Sequence, residues 1–590
     1  MSGRGSSYGG GRRKGSGSAR PSGGSGSSSN AYANVASVVA SSGLDARILV
    51  VLALFLLLAV AFFCRLFYLQ VIVADEYVRM AEESRTIQFE TTPRRGTIYD
   101  RNGNVLAISV DATTIYANPV EVTDPVGEAA QLASILGGEV EDYQAILSNT
   151  STTFVYIKRQ AEVELADQVK AMKLPGVYFI ADTRREYPNG SIGGQVIGYC
   201  NVDGVGITGL ELQYNSVLKG TPGTYMAERG EDGLPIPGGV RVDEPAIDGT
   251  DIMVSLDIKM QDAMEQALLK GCEQMGAGGG SSVLMDASTG EIYATCSLPY
   301  MNPANMAESE IGSDQVKAIT QQFEPGSIFK TVSILSVLEN EVMAPEDKLF
   351  CPAEIEADGY VVSDAHERDD ATFTLREIFD QSSNVGVSLA TEKMGFDALY
   401  ENILQYNLNE RTGVDYPGEG SGYMQDFGTW ARITGYNVSF GQGISVTPLQ
   451  IVRLYGAIAN DGVEVTPHFL VSKPQTGELI RYESELVVDN VEALDTMKSM
   501  LRSVVTDGTG TKADIEGYDV VGKTSTAEIA EGGVYKKGIY NLCFTGFIDN
   551  STSNLVCFVG ANEVYGMASV AHIFRDIMTF AIDQYNISPE

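Results

Sequence analysis

The chain has 590 residues, with 41 Lys+Arg against 77 Asp+Glu, three His, seven Cys and one Trp. At roughly 100–200 residues per domain that is room for two to four domains, and a hydrophobic content of 44% says that most of it folds. A net charge of −36 excludes a general nucleic-acid binder, whose phosphate contacts need clustered cations, and the scattered His366, His468 and His572 exclude a His-built metal site or His-based catalysis.

Residues 1–44 read as a disordered, basic tail. The first thirty hold ten Gly and ten Ser, with Arg4, Arg12, Arg13, Lys14 and Arg20 and no acid before Asp45. Such a segment buries too little apolar surface to offset the entropy of ordering it. Residues 45–69 read as a transmembrane helix, because Ile48–Cys64 is seventeen residues without a charge. At 1.5 Å per residue this run is ~26 Å long, near the lower limit for a bilayer. The apolar character resumes after Arg65, with Tyr68 at the interface. No small-x-small cleavage site follows, so the helix is expected to stay as an anchor. The positive-inside rule then puts the tail in the cytoplasm and everything after Tyr68 outside. The six cysteines beyond the helix are too scattered for a disulfide framework, and no pairing follows from them.

Residues 70–248 mix short β-rich runs, such as TTFVYIKR and GVYFIAD, with helical stretches and turn signals at Asn102-Gly103 and Pro188-Asn189-Gly190. A new texture begins at residue 249. It opens with DIMVSLD and a helix from Ile258 to about Cys272. Then SSVLMDASTGEIYATCS reads as two alternating strands joined in a hairpin at Ala287-Ser288-Thr289-Gly290. The domain boundary is placed near Asp248.

The chemistry gathers in this second region. Pro325-Gly326 punctuates a run, SIFKTVSILSVLENE, that is apolar on all sides and so reads as a helix buried in mid-domain. Ser327 and Lys330 stand at i and i+3, on one face. A Ser at a helix N-terminus has its backbone N–H and the helix dipole available for a developing oxyanion. A desolvated Lys beside it can take the hydroxyl proton without a His. Alone the pair is a common string. Ser382-Ser383-Asn384 follows after a helical stretch, and Lys523-Thr524-Ser525-Thr526 lies on an apolar run that reads as a strand.

S-x-x-K, then S-x-N, then K-T-x-T, in that order, is the signature of penicillin-recognising serine enzymes. The flanking strings RGTIYDRNGNVLA (95–107), GITGLE (206–211), TGVDYPGE (412–419), GQGISVTPLQ (441–450) and DGTG (507–510) agree. From about residue 47 to 585 the chain resembles class B penicillin-binding proteins, the single-pass, monofunctional peptidoglycan D,D-transpeptidases of the septal type. The resemblance implies a multidomain α+β protein: one transmembrane helix, a β-rich pedestal over 70–248, and over 249–590 a transpeptidase domain of antiparallel sheet flanked by helices.

The resemblance also implies roles. Ser327 is the nucleophile toward the D-Ala-D-Ala end of a stem peptide, and Lys330 is the general base. Ser382 relays a proton to the leaving amine, Asn384 binds the substrate backbone, and Lys523 adds positive potential. Thr524 and Thr526 bind the terminal carboxylate, with Ser525 grouped among these substrate-binding residues. The backbone N–H groups of Ser327 and Thr526 form the oxyanion hole. β-Lactams are expected to stop at the acyl stage, and no metal or cofactor is expected. About 175 residues between anchor and boundary are too few for a glycosyltransferase domain, so a polytopic SEDS glycosyltransferase and other division proteins are the implied partners. The alternatives are a D,D-carboxypeptidase or β-lactamase, which transfer to water, and a non-catalytic β-lactam sensor or divisome scaffold.

Ser525 departs from the pattern, since the family usually has Gly there. On a strand its side chain shares the face of Lys523, away from Thr524 and Thr526. It is expected to crowd or hydrogen-bond Lys523 or Ser382. Gly517–Thr524 also fits the P-loop string G-x-x-x-x-G-K-T letter by letter. The charged Ala513–Glu516 stretch stands where a P-loop needs an apolar strand, and Val520-Val521 within the string suits a strand better than a phosphate cradle, so no nucleotide is expected.

Overall fold

The computed structural model describes residues 46–77, 80, 86–229, 235–531, 534–566 and 568–590. The Gly/Ser tail, read as disordered, lies outside them. Contact density divides the chain into two units, one holding the N-terminal helix and the other Phe89–Tyr225 with Arg241–Glu590. In the first, Ala46–Phe67 is an α-helix continued by a π-helical turn over Tyr68–Ile72. Its Arg47–Ile72 stretch is long and apolar enough to cross a membrane by length and composition.

The second unit contains both the pedestal and the catalytic fold. The pedestal centres on the long strand Val105–Ala117, which pairs antiparallel with Val155–Ala161 and Val177–Glu186. Helices Pro125–Leu136 and Val163–Ala171 close over it, burying Ile115, Leu132, Leu147 and Val169 in a small core. Two of the flanking strings meet here. Arg95 donates from Nε to Glu211 Oε2 at 2.6 Å, and Arg185 donates to Glu211 Oε1 at 2.7 Å. Glu211 is fully buried, so the carboxylate is held by two guanidinium groups, as a charge removed from water requires.

The boundary at Asp248 is not a break in the sheet. Ile98–Tyr99 pairs parallel with Ile252–Val254, which pairs with Leu470–Lys473 from far along the chain. Asp415, from the TGVDYPGE string, accepts from the backbone N–H groups of Phe469 and Leu470 at 2.7 and 2.8 Å.

The catalytic fold is built on a five-stranded antiparallel sheet of β1 (Gly279–Asp286), β2 (Ile292–Ser297), β3 (Asp519–Glu531), β4 (Val534–Asp549) and β5 (Leu555–Tyr565). The order is β2-β1-β5-β4-β3, so β3 is an edge strand. The β1–β2 hairpin forms as the sequence indicates. Its strands do not alternate between core and solvent, however; they are buried along nearly their whole length. Helices cover both faces of the sheet, so each side of the pleat meets a core. Helix α1 (Ile258–Met275) and the C-terminal α2 (Ala571–Tyr585) pack together on one side. The cluster on the other side includes Phe329, Leu335, Tyr436 and Tyr455. The seven cysteines are free thiols.

Candidate active site

Ser327 lies in a 3-10 turn, Gly326–Phe329, that feeds directly into helix Lys330–Glu339. Residues Lys330 to Leu338 are all buried, as the all-round apolar pattern of the run dictates. Gly326 has φ +54°, in the left-handed region, and a Cβ there would come within 2.6 Å of Ser525 Oγ. Its N–H donates to Gly441 O at 3.0 Å. A Cβ on Gly441 would strike Gly326 O at 2.3 Å, so the GQG string allows backbone to pack on backbone under the turn. Ser327 is half-buried, and its hydroxyl makes no hydrogen bond among the described residues.

Lys330 is 1% exposed. Its Nζ lies 2.5 Å from Ser382 O, 2.7 Å from Asn384 Oδ1 and 3.1 Å from Ser382 Oγ. Two of these partners are carbonyl oxygens that only accept, whereas the Ser382 hydroxyl can also donate. As placed, all three accept from Nζ, which the three N–H donors of an ammonium satisfy; a neutral amine fits the set once the Ser382 hydroxyl turns to donate. Burial, reinforced by Lys523, holds the Lys330 ammonium well below its ordinary value, with Asp364 opposing.

The Ser382 turn ends helix Leu375–Asp380. Ser382 itself is left-handed at φ +58°, which swings its carbonyl and hydroxyl onto Lys330. The next residue, Ser383, caps helix Asn384–Met394 by accepting from the Gly386 N–H at 2.9 Å. Asp364 fixes this turn. It accepts from the Ser383 hydroxyl at 2.9 Å and from the Val385 N–H at 3.0 Å, and Arg368 pairs with it at 2.6 Å. Asp364 has no motif around it, and sequence reading passes it by.

Residues Lys523–Thr526 lie on the edge strand β3 and alternate as expected. Lys523 is 0% and Ser525 3% exposed, whereas Thr524 is half-buried and Thr526 exposed. The Thr524 hydroxyl shares a hydrogen bond of 2.6 Å with Thr509 of the DGTG string. Lys523 Nζ has no hydrogen-bond partner among the described residues and sits over the Phe379 ring, 5.5 Å from its centroid. Burial pushes Lys523 down to about 7, with Asp380 opposing. The string Gly517–Thr524 runs from a turn into β3, with no helix after it, so the geometry of a phosphate loop is absent there.

One expectation needs correction. Ser525 bonds neither Lys523 nor Ser382, and it does not line the open face with Thr524 and Thr526. Its Oγ accepts from the Ser327 backbone N–H at 2.9 Å and donates to Pro325 O at 2.8 Å. Alternation fixed the face correctly, but the turn opposite that face carries free backbone groups, and these capture the hydroxyl. In consequence the Ser327 N–H, assigned to the oxyanion hole by the resemblance, donates at rest to a side chain of the same protein. Lys330 is likewise turned to Ser382 and Asn384 and not hydrogen-bonded to Ser327.

Residues 280–579 match the penicillin-binding protein transpeptidase domain, and residues 90–254 match the penicillin-binding protein dimerisation domain. The chain is 30% identical to the penicillin-binding protein PbpB of Mycolicibacterium smegmatis, over 91% of this chain and 90% of that one. It is 31% identical to the peptidoglycan D,D-transpeptidase FtsI of Escherichia coli, over 91% of each. Among solved structures it is similar to penicillin-binding protein 3 of Mycobacterium tuberculosis complexed with aztreonam. The TM-score there is 0.66 at 27% identity, covering 85% of this chain and 98% of that one. With its transpeptidase domain, its dimerisation-type pedestal and one apolar N-terminal helix, the chain belongs to the class B penicillin-binding proteins, a family of peptidoglycan transpeptidases.

Proposed function

We propose that this protein is a serine-type peptidoglycan D,D-transpeptidase that cross-links stem peptides at the division septum and is acylated by β-lactams on Ser327. The observation that carries the reading is the Lys330 amine, which burial shifts toward its neutral form, which touches Ser382 and Asn384 of the second motif, and which stands one helical turn from Ser327. A neutral Lys can accept a proton, and no His serves the site.

The reaction runs in two halves. Ser327 Oγ attacks the carbonyl of the penultimate D-Ala while its proton passes to Lys330. The C–N bond to the terminal D-Ala then breaks, and the leaving amine takes a proton through the Ser382 hydroxyl. The product of this half is a Ser327 ester plus free D-Ala. An amine of a second stem peptide next attacks the ester, gives its proton to the Lys330–Ser382 pair, and releases Ser327 as the hydroxyl with a new amide formed. Asn384 holds the donor backbone. The exposed edge of β3 offers the Thr524 and Thr526 hydroxyls to the terminal carboxylate, with Lys523 supplying charge beneath. The backbone N–H groups of Ser327 and Thr526 stabilise the oxyanion.

In this reading residues 1–44 are a cytoplasmic tail, 45–69 the anchor, 70–248 the pedestal and 249–590 the transpeptidase domain outside the membrane. The anchor and pedestal are the docking surfaces for a polytopic SEDS glycosyltransferase and other division proteins. Similarity to the peptidoglycan D,D-transpeptidase FtsI along nearly the whole chain supports the transpeptidase assignment, and the septal placement rests on the resemblance to the septal-type class B proteins. The test is to incubate the purified protein with an activated thioester donor and D-amino acids. Aminolysis product should exceed hydrolysis product; hydrolysis alone would move the protein to the carboxypeptidases.

A further inference from the structure

We propose that Ser525 is a latch on the oxyanion hole: in the free enzyme its hydroxyl holds the Ser327 N–H, and acylation requires it to let go. The proposal rests on the assignment of Ser327 as nucleophile and goes beyond it. Three observations support it. Ser525 Oγ is 2.9 Å from the Ser327 nitrogen and accepts that N–H. The same hydroxyl donates to Pro325 O at 2.8 Å, so its proton points away and a lone pair faces the Ser327 N–H. Its surroundings are tight: Ser525 is 3% exposed, and a Cβ on Gly326 would come within 2.6 Å of its oxygen.

An oxyanion forming at the Ser327 N–H would therefore meet a lone pair already on that donor. The hydroxyl cannot serve as an extra donor while its proton is committed to Pro325. Either it rotates away or the substrate oxygen loses half of its hole. A hydrogen bond made in the ground state and broken in the transition state lowers the rate of the step without weakening the initial encounter. Gly at this position has no such group, and water at the N–H is displaced by the substrate. Ser525 is in this sense a positioning residue, acting on the reaction through the Ser327 backbone. Once the acyl-enzyme exists the latch is already open, so release of the acyl group is not subject to it.

The experiment compares the full chain in detergent with Ser525→Ala, Ser525→Gly and Ser525→Thr, using benzylpenicillin. It separates non-covalent affinity, the acylation constant and the release constant, and maps the adduct. The expected result is an acylation constant ~3–10-fold higher for Ala and Gly, the scale of one hydrogen bond. Affinity and release should be unchanged within about twofold, as expected for a bond already broken in the acyl-enzyme, and the Thr variant, which keeps a hydroxyl, should stay near wild type. The Ala variant fits wherever Ser fits and carries the test if Thr fails to fold. It should also melt lower than wild type while reacting faster, a pairing that a merely structural role does not produce. Acylation by Ala and Gly at or below the wild-type rate would overturn the latch, as would an equal acceleration of release. Absence of an adduct on Ser327 in every form would instead overturn the nucleophile assignment, and the latch with it.

Discussion

Lys330 and Asn384 are joined directly, Nζ to Oδ1 at 2.7 Å, across 54 residues of sequence. The amine is thereby fixed by the second motif and not by the Ser327 hydroxyl three residues before it. Lys330 at rest belongs to the turn of the second motif, and burial, not those hydrogen bonds, shifts it toward the neutral base.

Lys330→Arg should abolish acylation although the side chain is of similar length, because a guanidinium stays charged and cannot accept a proton. Burial holds the native amine well below its ordinary value, so the acid limb of wild-type acylation should climb as pH rises through that lowered value. Stopped-flow acylation from pH 5 upward checks this; a flat acid limb would remove Lys330 as the base.

Lys523 should trade stability for charge. Its folded value of about 7 lies below the ordinary 10.5, so between those two the unfolded chain binds more protons and stability rises with pH. Lys523→Met should remove the cost of a buried cation and raise the melting temperature at pH 6, by roughly 1–2 °C for each kcal/mol regained in a domain of this size. The same change should cut acylation at least tenfold. Loss of the Lys523 charge should also give wild-type acylation a falling alkaline limb from about pH 7, which Lys523→Arg shifts upward. Thermal melts and pH–rate profiles of the three forms decide it.

Asp364→Ala should slow acylation by about ten- to a hundredfold, the scale of one or two charged hydrogen bonds. It releases the Ser383 hydroxyl and Val385 N–H that hold the Ser382–Asn384 turn in place. The adduct should remain on Ser327. Peptide mapping with acylation kinetics tests this, and an unchanged rate would show that the turn holds itself.

In the pedestal, Glu211→Ala should destabilise by ~3–5 kcal/mol, because it strands the buried Arg95 and Arg185 guanidinium groups without their carboxylate. Unfolding of wild type and variant in the same detergent measures the difference. A loss below about 1 kcal/mol, ordinary for exposed ion pairs, would contradict the buried-network account.

The ordered serine and lysine motifs were legible because each is a local string on an element whose type its flanks declare. Lys330 had to be buried, since the run around it is apolar on every side. The strand carrying Lys523 could be assigned a face, since alternation is geometry. What lies across from that face could not be read: the partners of Ser525 are 198 and 200 residues away, at Ser327 and Pro325. Asp364 was silent because a lone carboxylate in an acidic stretch carries no periodic signal. The boundary at Asp248 marked a change of texture, but strand pairing between Ile98–Tyr99 and Ile252–Val254 crosses it, and register between distant strands leaves no local trace.

The most direct test of the account is to find where a β-lactam becomes attached. The full chain is treated with benzylpenicillin, digested, and mapped by mass spectrometry, alongside Ser327→Ala. The account predicts a single adduct on the peptide containing Ser327, absent from the variant while the variant's melting temperature stays close to that of wild type. Labelling that persists in Ser327→Ala, or an adduct that maps to Ser382 or Ser525, would contradict it.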